Sequence, residues 1–559
     1  MGGITVRERI KRLRWVVVAG ALALAVAACA SDTASDADDP QDSDAGVDAG
    51  EDAGADPSED DELVLTVAVP GDVETFDPCC ANFIRSHEAL YMVYDVPVIH
   101  PAREVDGALV GDPSGLDGRY FESWDADPDG VTYTIRVREG LTFDDGTPIT
   151  AETVRFMVER NLNTPGGGDW LLRNIAFVTE PPEVVDEYTL VLRSDQPSPM
   201  VMESFYMTSS SAVDPAVVEA NATDDDPWAT EHLSRNVDNP SGPYRLVSRI
   251  PDQELVFEAR EGYWDGERPF DRIIWRVVPS AAERVQLLQA GAIDVALGLG
   301  TEEFEALSGA DGVEILSAPS NNMAYVGMNN GVAPFDDREV RQAVSYGIDY
   351  DDILENVYRG DAGRLRGPLS ENSPFSIGDQ IGYDRDVARA TELLADSDYD
   401  GSTVTLSIDS SRTEHQLIAV RVQAALNEIG MEVEVEQLTP AVFAERKVAK
   451  ELQMFIDESL AWIDDPNYGL SLTLECGVFG NYTDYCNDRV QEIIEDGWAE
   501  PDEAARREMF EEAQRLIVED APWAFLAQPD YKLAVREGIG GYIHYQNEIP
   551  RLAFLEPVN

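Results

Sequence analysis

The sequence predicts a mixed α/β body, because segments with strand and helix periodicity alternate along the chain without any internal repeat. Residues 131–137 alternate as a strand, and after a turn at "DDGTP" Thr150 caps a helix. Residues 403–436 read as strand, helix and strand, the unit that builds parallel sheets. The roughly 500 residues of this body are enough for two to four lobes.

The first 28 residues have the composition of a secretory signal. Five Lys and Arg residues precede an apolar run from Trp15 to Ala28. This run is shorter than the roughly 20 residues that a spanning helix needs. We therefore expect a cleaved signal peptide at residues 1–28 rather than a retained membrane helix.

Cys29 stands at the boundary between the signal and a strongly acidic segment. The stretch "LAVAAC" resembles a bacterial lipobox, in which the Cys is lipidated after cleavage. Residues 31–62 contain fourteen Asp and Glu and no Lys or Arg, a composition that favours an extended, disordered chain. We expect residues 29–62 to be a lipidated Cys29 with an acidic tether; ordinary secretion with an unmodified Cys29 is the alternative.

The net charge limits the partners of the protein. The formal net charge of the whole chain is -66 at pH 7. Such a negative surface argues against nucleic acid and against electrostatic docking on anionic lipid. We therefore expect contact with the membrane through the lipid anchor only.

Four cysteines remain in the body, and an even number in an oxidising compartment suggests disulfides. Cys476 and Cys486 flank the short segment "CGVFGNYTDYC", which suits a local disulfide. Cys79 and Cys80 are neighbours, a geometry in which a bridge is strained, so their state stays open. Without paired CxxC motifs or nearby histidines, no metal site is expected.

The sequence lacks the usual signatures of enzymes and cofactor sites. It has no GxSxG, HExxH, GxGxxG or GxxxxGK[ST] motif, and its five histidines are scattered. "DADPDG" at 125–130 matches half of an EF-hand loop, but Arg136 stands where the bidentate Glu should be, which favours a hairpin turn. We expect no enzyme and no cofactor; a hydrolase assembled from distant residues is the alternative.

Five blocks of sequence occur in this order: "LTVAVPGDVETFDP", "FESWDADPDGVTYTIRVREGLTFDDGTPITAETVRFMVER", "NPSGPYRLVSRIPDQELVFEAREGYWDGERPFDRIIWRVVPSAAERVQLLQAGAIDVALG", "PFDDREVRQAVSYGIDYDDILENVYRG" and "AWIDDPNYGLSLTLECG". Taken together, these blocks resemble the extracellular solute-binding proteins, family 5, of peptide-importing ABC transporters. The resemblance covers about residues 63–559.

The resemblance implies a two-lobed α/β clamp of the type II periplasmic-binding-protein kind with an extra inserted domain. It implies capture of short peptides between the lobes and delivery to a membrane permease, with no catalysis. We expect a lipid-anchored monomer on the extracellular face of the cell membrane, or on the periplasmic side if an outer membrane exists. The expected boundaries are lobe I at 63–95, 236–310 and 525–559, the inserted domain at 96–235, and lobe II at 311–524.

The resemblance also implies ligand-binding residues. An Asp shortly after a Trp pairs with the peptide amine in relatives, which points to Asp465, or Asp464, after Trp462. Arg412 lies just past the strand at 403–409, where ligands of such folds sit, and is the candidate for the peptide carboxylate. Asn329 lies where relatives have an Asn near hinge and cleft. The resemblance further supports the disulfide of Cys476 and Cys486.

The identity of the ligand stays open at this stage. The family that the chain resembles includes binders of peptides, oligosaccharides, nickel chelates and opines. Sugar binders use aromatic platforms, and four residues of this chain are candidates: Trp462, Trp170, Tyr468 and Trp228. Peptides are the preferred hypothesis, and oligosaccharides or another small solute are the alternative.

Overall fold

The computed structural model describes residues 62–105 and 107–558. The predicted signal peptide, Cys29 and nearly all of the acidic tether lie outside the described residues. None of the helices in the described part is long and apolar enough to cross a membrane.

The strands fall into two large sheets, one smaller sheet and three short pairs. In chain order they are β1 (Val64–Val69), β2 (Val98–Ile99), β3 (Ala102–Val105), β4 (Ala108–Gly111), β5 (Asp117–Gly118), β6 (Phe121–Ala126), β7 (Thr132–Val137), β8 (Glu183–Asp186), β9 (Thr189–Arg193), β10 (Tyr244–Ile250), β11 (Glu254–Ala259), β12 (Arg272–Val277), β13 (Val295–Ala296), β14 (Val313–Ala318), β15 (Asn322–Met328), β16 (Ala362–Arg364), β17 (Val404–Asp409), β18 (Val433–Leu438), β19 (Met454–Leu460), β20 (Trp523–Pro529), β21 (Tyr531–Arg536), β22 (Ile539–Gly540) and β23 (Glu556–Pro557).

The α-helices of the described residues alternate with these strands along the chain. They are α1 (Ile84–Val93), α2 (Ala151–Asn163), α3 (Gly167–Trp170), α4 (Pro215–Asn221), α5 (Thr230–Leu233), α6 (Ala281–Gln289), α7 (Thr301–Leu307), α8 (Arg338–Gly347), α9 (Tyr350–Asn356), α10 (Val387–Asp396), α11 (Thr413–Glu428), α12 (Pro440–Val448), α13 (Pro466–Thr473), α14 (Asp488–Gly497) and α15 (Glu503–Asp520).

The first large sheet has seven strands in the order β10, β11, β12, β1, β13, β21 and β14. Its central strand β1 runs parallel to β12 and β13. Leu65 and Val67 of β1 join one apolar cluster and Ala68 joins another, because helices cover both faces of the sheet. We call this sheet with its helices the first body.

The second large sheet has six strands in the order β16, β20, β15, β19, β17 and β18. It contains the predicted strand–helix–strand unit: β17 and β18 are parallel, and α11 connects them. The α11 residues that were predicted to share one apolar face are buried, namely Ile418, Val422, Ala425, Leu426 and Ile429. We call this sheet with its helices the second body.

A third body is formed by residues that lie, in sequence, between strands β1 and β10 of the first body. Strands β6, β7, β9 and β8 form an antiparallel sheet, and α2 follows Thr150, the predicted cap residue. The "DADPDG" segment is the turn of the β6–β7 hairpin, in which Asp129 accepts hydrogen bonds from the backbone N–H groups of Val131 and Thr132. The hairpin prediction is thus confirmed.

The sheet pairing moves two of the expected lobe boundaries. Strand β14 pairs with β21 in the first sheet, so the expected boundary at 310/311 would separate it from its sheet. Strand β20 pairs with β15 in the second sheet, so the boundary at 524/525 would cut through it. The chain therefore crosses between the large sheets at 319–321 and again at Asp530. The division into three lobes otherwise stays a prediction.

Candidate ligand-binding cleft

The two crossing segments lie side by side. Gln528 donates a side-chain hydrogen bond to the carbonyl of Ser320 at 2.6 Å, and Asn372 donates to the same carbonyl at 2.6 Å. Ser370 donates to Asn321 at 2.8 Å. Two adjacent crossing segments between two sheets are the usual structure of a hinge. Three of the cavities described below are lined by residues of these segments.

One cavity is bordered by both large bodies and has a volume of about 400 Å³. We call it the charged cavity, because its wall carries cations from both bodies. Each of these cations has an acidic partner: Arg412 with Glu458, Lys532 with Asp361, and Arg85 with Glu88. The wall also carries three further acidic residues, Glu414, Asp530 and Glu548, so it is polar and rich in carboxyl groups.

Arg412 lies in the charged cavity as the residue that precedes α11. Its guanidinium donates to Glu458 at 2.7 Å, and its side chain is half exposed. Burial acts to raise the pKa of Glu458, but the imidazole of His415, 3.6 Å away, and the charge of Arg412 hold that pKa at about 2. Arg412 is thus already paired in the structure, so a ligand carboxylate would compete with Glu458.

Asp465 has partners within the protein. It is the N-cap residue of α13 and accepts the backbone N–H of Asn467 at 2.8 Å. Arg506 donates to the same carboxylate at 2.7 Å, and both side chains are almost completely buried. These contacts indicate that Asp465 stabilises the fold of the Asp-Asp-Pro turn.

The neighbouring Asp464 is placed differently. It lines two small cavities of about 90 and 20 Å³, both of which also touch Asn321 of the first crossing segment. Burial, with the charge of Asp465, raises the pKa of Asp464 to about 6. Asp465 lines only the smaller of these two cavities, whereas Asp464 lines both.

Glu203 adds a second acid to this region. Burial, followed by the charges of Asp465 and Asp464, raises its pKa to about 8. Its nearest cationic group is His100, with Nε2 3.4 Å from Glu203 Oε2, and burial lowers the pKa of that imidazole. A pair of carboxyl groups in such surroundings can retain a proton or bind a cation.

A third cavity is mostly apolar and has a volume of about 280 Å³. We call it the aromatic cavity. Trp462 meets His87 edge to face at 5.1 Å, and Trp170 meets Tyr468 at 6.3 Å. The structure therefore brings three of the predicted aromatic residues together around one space. Trp228 is not among them, because its ring packs against Phe156 at 5.8 Å in the core of the first body.

Asn329 lies away from the cavities. Its side chain is 1% exposed and donates to the carbonyls of Lys450 and Leu452, at 2.8 and 3.2 Å. Its oxygen accepts the N–H of Gly331. All of its hydrogen-bonding atoms are thus used to hold the end of β15, which corrects the expectation of a ligand contact.

The cysteines of the body are paired. Cys476 and Cys486 are joined across the loop after α13, with Cα atoms 4.7 Å apart, and Cys79 is joined to Cys80. In the described residues, one group of potential metal ligands comes together, Asp77 with Cys79 and Cys80. The sulfur atoms are bonded to each other, and Arg160 donates twice to Asp77, at 2.8 and 2.7 Å. The side-chain atoms of this group are therefore already engaged and are not free to bind a metal ion.

Comparison with known proteins identifies the family. Residues 116–481 match the family described as bacterial extracellular solute-binding proteins, family 5. The chain belongs to this family. The expected α/β clamp with an inserted domain is confirmed by solved structures such as CtaP of Listeria monocytogenes, with a TM-score of 0.78, 24% identity, and coverage of 89% of this chain and 100% of that one. The DppA protein of Helicobacter pylori in complex with the peptide STSA gives a TM-score of 0.76 at 21% identity, with coverage of 89% and 99%.

Characterised relatives of this solute-binding protein are similar over most of their length. The probable D,D-dipeptide-binding periplasmic protein DdpA of Escherichia coli is 26% identical over 86% of this chain and 91% of its own. The glutathione-binding protein GsiB of Pectobacterium atrosepticum is 27% identical over 73% of this chain and 79% of its own. Membership in a family of transport receptors fits a binding protein rather than an enzyme.

Sequence reasoning missed Glu203 and His87. Glu203 is a single acid within the apolar stretch "PMVMESFYM", and His87 is a lone imidazole in the first half of α1. An isolated ionisable residue in an apolar run is a recognisable signal of a buried polar function. For Glu203 this signal was hidden among the many other acidic residues of the chain.

Proposed function

We propose that this solute-binding protein captures short peptides in the cleft between its two large bodies and delivers them, unchanged, to the permease of an ABC importer. The observation that carries this proposal is the placement of Asp464, which lines two cavities beside the first crossing segment and acts electrostatically on the buried acid Glu203. Both have a raised pKa, and among the described residues no Lys or Arg forms a salt bridge with either of them. A peptide amine would supply the missing cation.

The names of the relatives support a peptide-like ligand. DdpA is named for D,D-dipeptides and GsiB for glutathione. Both names describe small molecules with amide bonds and a free amine. For this chain we propose the same broad class, without a commitment to one peptide length.

We further propose that binding closes the clamp about the two crossing segments, 319–321 and Asp530. In this proposal, lobe I contains the first sheet through β14, and lobe II contains the second sheet through β20. The inserted domain is the third body, at about residues 96–235. The contact of Trp170 of the inserted domain with Tyr468 of lobe II would then belong to the closed form and would part when the cleft opens.

The N-terminal predictions complete the proposal. Residues 1–28 would be removed as a signal peptide, Cys29 would carry the lipid, and the acidic segment to residue 62 would hold a monomeric receptor outside the cell membrane. The test is metabolic labelling with a lipid precursor in the native host. Label that is lost in a Cys29→Ser variant would support the anchor, and label that persists would contradict it.

Calorimetry with paired peptides tests the amine site. A tripeptide with a free amine is compared with the same peptide after N-acetylation. We expect free-amine peptides to bind at least tenfold more tightly, since loss of a charge-assisted contact is worth about 1.5–3 kcal/mol. Asp464→Asn should remove the difference, whereas the exposed control Asp225→Asn should retain it. Equal binding of both peptides by the unmodified protein would contradict the amine site.

Oligosaccharides are the second candidate, because Trp170, Trp462 and Tyr468 line one cavity. Aromatic faces of this kind can stack against sugar rings. Native mass spectrometry of the protein purified from its host separates the two classes by the mass of the carried ligand. Sugar adducts without peptide adducts would replace the substrate class while leaving the transport role.

A further inference from the structure

The aromatic cavity has the dimensions of a specific side-chain pocket. Its volume of about 280 Å³ exceeds the roughly 150 Å³ that is known to hold benzene in a protein interior. Its apolar wall consists mainly of Trp170, Leu171, Met207, Trp462 and Tyr468. Aromatic rings and a methionine sulfur are favourable neighbours for a ligand ring.

The wall of this cavity also contains two buried polar atoms without partners. His87 and Ser209 both line the cavity, at 2% and 5% exposure. Neither Nε2 of His87 nor Oγ of Ser209 has a hydrogen-bond partner in the structure. Buried polar atoms are almost always hydrogen-bonded, so two unmatched atoms on one cavity wall point to a missing polar group.

His87 is held in its neutral form. Its Nδ1 lies 2.6 Å from the hydroxyl of Thr208. Burial, aided by the charge of Arg551, lowers the pKa of His87 to about 4. A neutral imidazole and a hydroxyl can exchange hydrogen bonds with an O–H or N–H group, while an apolar wall disfavours a charged one.

We infer that the aromatic cavity selects a ligand side chain that is an aromatic ring with an uncharged polar tip, a phenol or an indole. The inference rests on the proposed function and names its substrate class: peptides that contain Tyr or Trp. Trp170 and Met207 come from the inserted domain, whereas Trp462 and Tyr468 come from the second body. The ring would therefore complete a pocket that both sides of the cleft form.

Calorimetry on the mature protein tests the inference with variants of trialanine. A single Tyr, Trp, Phe, Leu or Lys is placed at each position in turn. At one position we expect Tyr or Trp to bind at least tenfold more tightly than Leu or Lys, and Tyr to exceed Phe several-fold, because a site that hydrogen-bonds an O–H group rejects the analogue that lacks it.

Two variants distinguish recognition from stability. Ser209→Ala should reduce the ratio of Tyr to Phe affinity while leaving Phe binding unchanged. Ser211→Ala is the matched control, since its hydroxyl is also buried and unpartnered but does not line the cavity. Thermal unfolding of both variants shows whether each folds normally.

The outcomes separate this inference from the proposed function. Peptide binding without preference for Tyr or Trp at any position would overturn the inference and leave the function intact. An unchanged Tyr-to-Phe ratio in Ser209→Ala would overturn the polar part of the pocket. Failure of every peptide to bind would overturn the proposed function, and with it the inference.

Discussion

Glu414 of α11 accepts a hydrogen bond from the backbone N–H of Thr301, the first residue of α7, at 3.0 Å. The two residues belong to different bodies, because α11 packs on the second sheet and α7 on the first. Two ion pairs also join residues of the two bodies, Arg359 with Glu305 and Lys532 with Asp361. Together these contacts hold the cleft in the form described here.

The first prediction is that Glu414→Gln favours an open cleft. An amide at this position loses the charge-assisted part of the bond, worth about 1 kcal/mol. Ligand affinity should fall about fivefold, because closure contributes less to binding. Small-angle X-ray scattering of the ligand-free protein should show a larger radius of gyration. Glu432→Gln, at an exposed acid before β18, is the control and should behave like the unmodified protein.

The second prediction assigns different roles to two adjacent aspartates. Asp465→Asn should lower stability, by about 3–5 kcal/mol, because it breaks the buried pair with Arg506. Asp464→Asn should leave stability unchanged or raise it, because it removes a buried charge without an ion-pair partner. Urea unfolding measures both effects. If Asp464→Asn were the more destabilising of the two, this assignment of roles would be wrong.

Much of the fold could be predicted from local sequence. The alternation at 403–409 and at 431–436 became the parallel strands β17 and β18, and the apolar face between them became α11. These elements could be predicted because the periodicity of a strand or a helix is visible within a short stretch of sequence. The sheet that each strand joins could not be predicted in this way. Strand β14 pairs with β21, more than 200 residues later.

The site was harder to predict, because its parts come from separate bodies. Asp464 and Asp465 are equivalent in local sequence, and the difference between them arises from Arg506 on α15. Asp465 and Asp464 raise the pKa of Glu203 only after the inserted domain has packed against the second body. Asn329 was expected in the cleft from the resemblance to relatives that have an Asn at this place, but its side chain turns to the backbone of the loop at 450–452.

The third prediction concerns the pH dependence of peptide affinity. The pKa of Asp464 is raised to about 6 and that of Glu203 to about 8, in both cases mainly by burial. A peptide amine binds the ionised carboxylates. At pH values below these pKa values, binding must therefore release protons from the two carboxyl groups. Affinity for a free-amine peptide should therefore rise from pH 5 to pH 8. Calorimetry in buffers of different ionisation enthalpy measures the released protons. The N-acetylated peptide should show a flat profile.

The fourth prediction applies the same raised pKa values to stability without ligand. Between pH 4.5 and 8 the folded protein keeps a proton on Glu203 that the unfolded chain has lost. The contribution of this group to stability is therefore present at low pH and is lost as pH rises through that window. Glu203→Gln should be as stable as the unmodified protein near pH 4 and more stable at pH 8, by on the order of 2 kcal/mol. Denaturant midpoints across this range measure the difference, and a constant difference would contradict the raised pKa.

The fifth prediction concerns the ion pair of Asp77 and Arg160, which anchors the loop beside the aromatic cavity. Both side chains are almost fully buried, and Arg160 also donates to the carbonyl of Trp228. Arg160→Met keeps the volume but leaves Asp77 without a partner, so it should lower stability by about 3–5 kcal/mol. The double variant Asp77→Asn with Arg160→Met should recover part of that loss, because no charge remains buried. Chemical denaturation of the three proteins measures the coupling, and purely additive effects would show that the pair does not act as a unit.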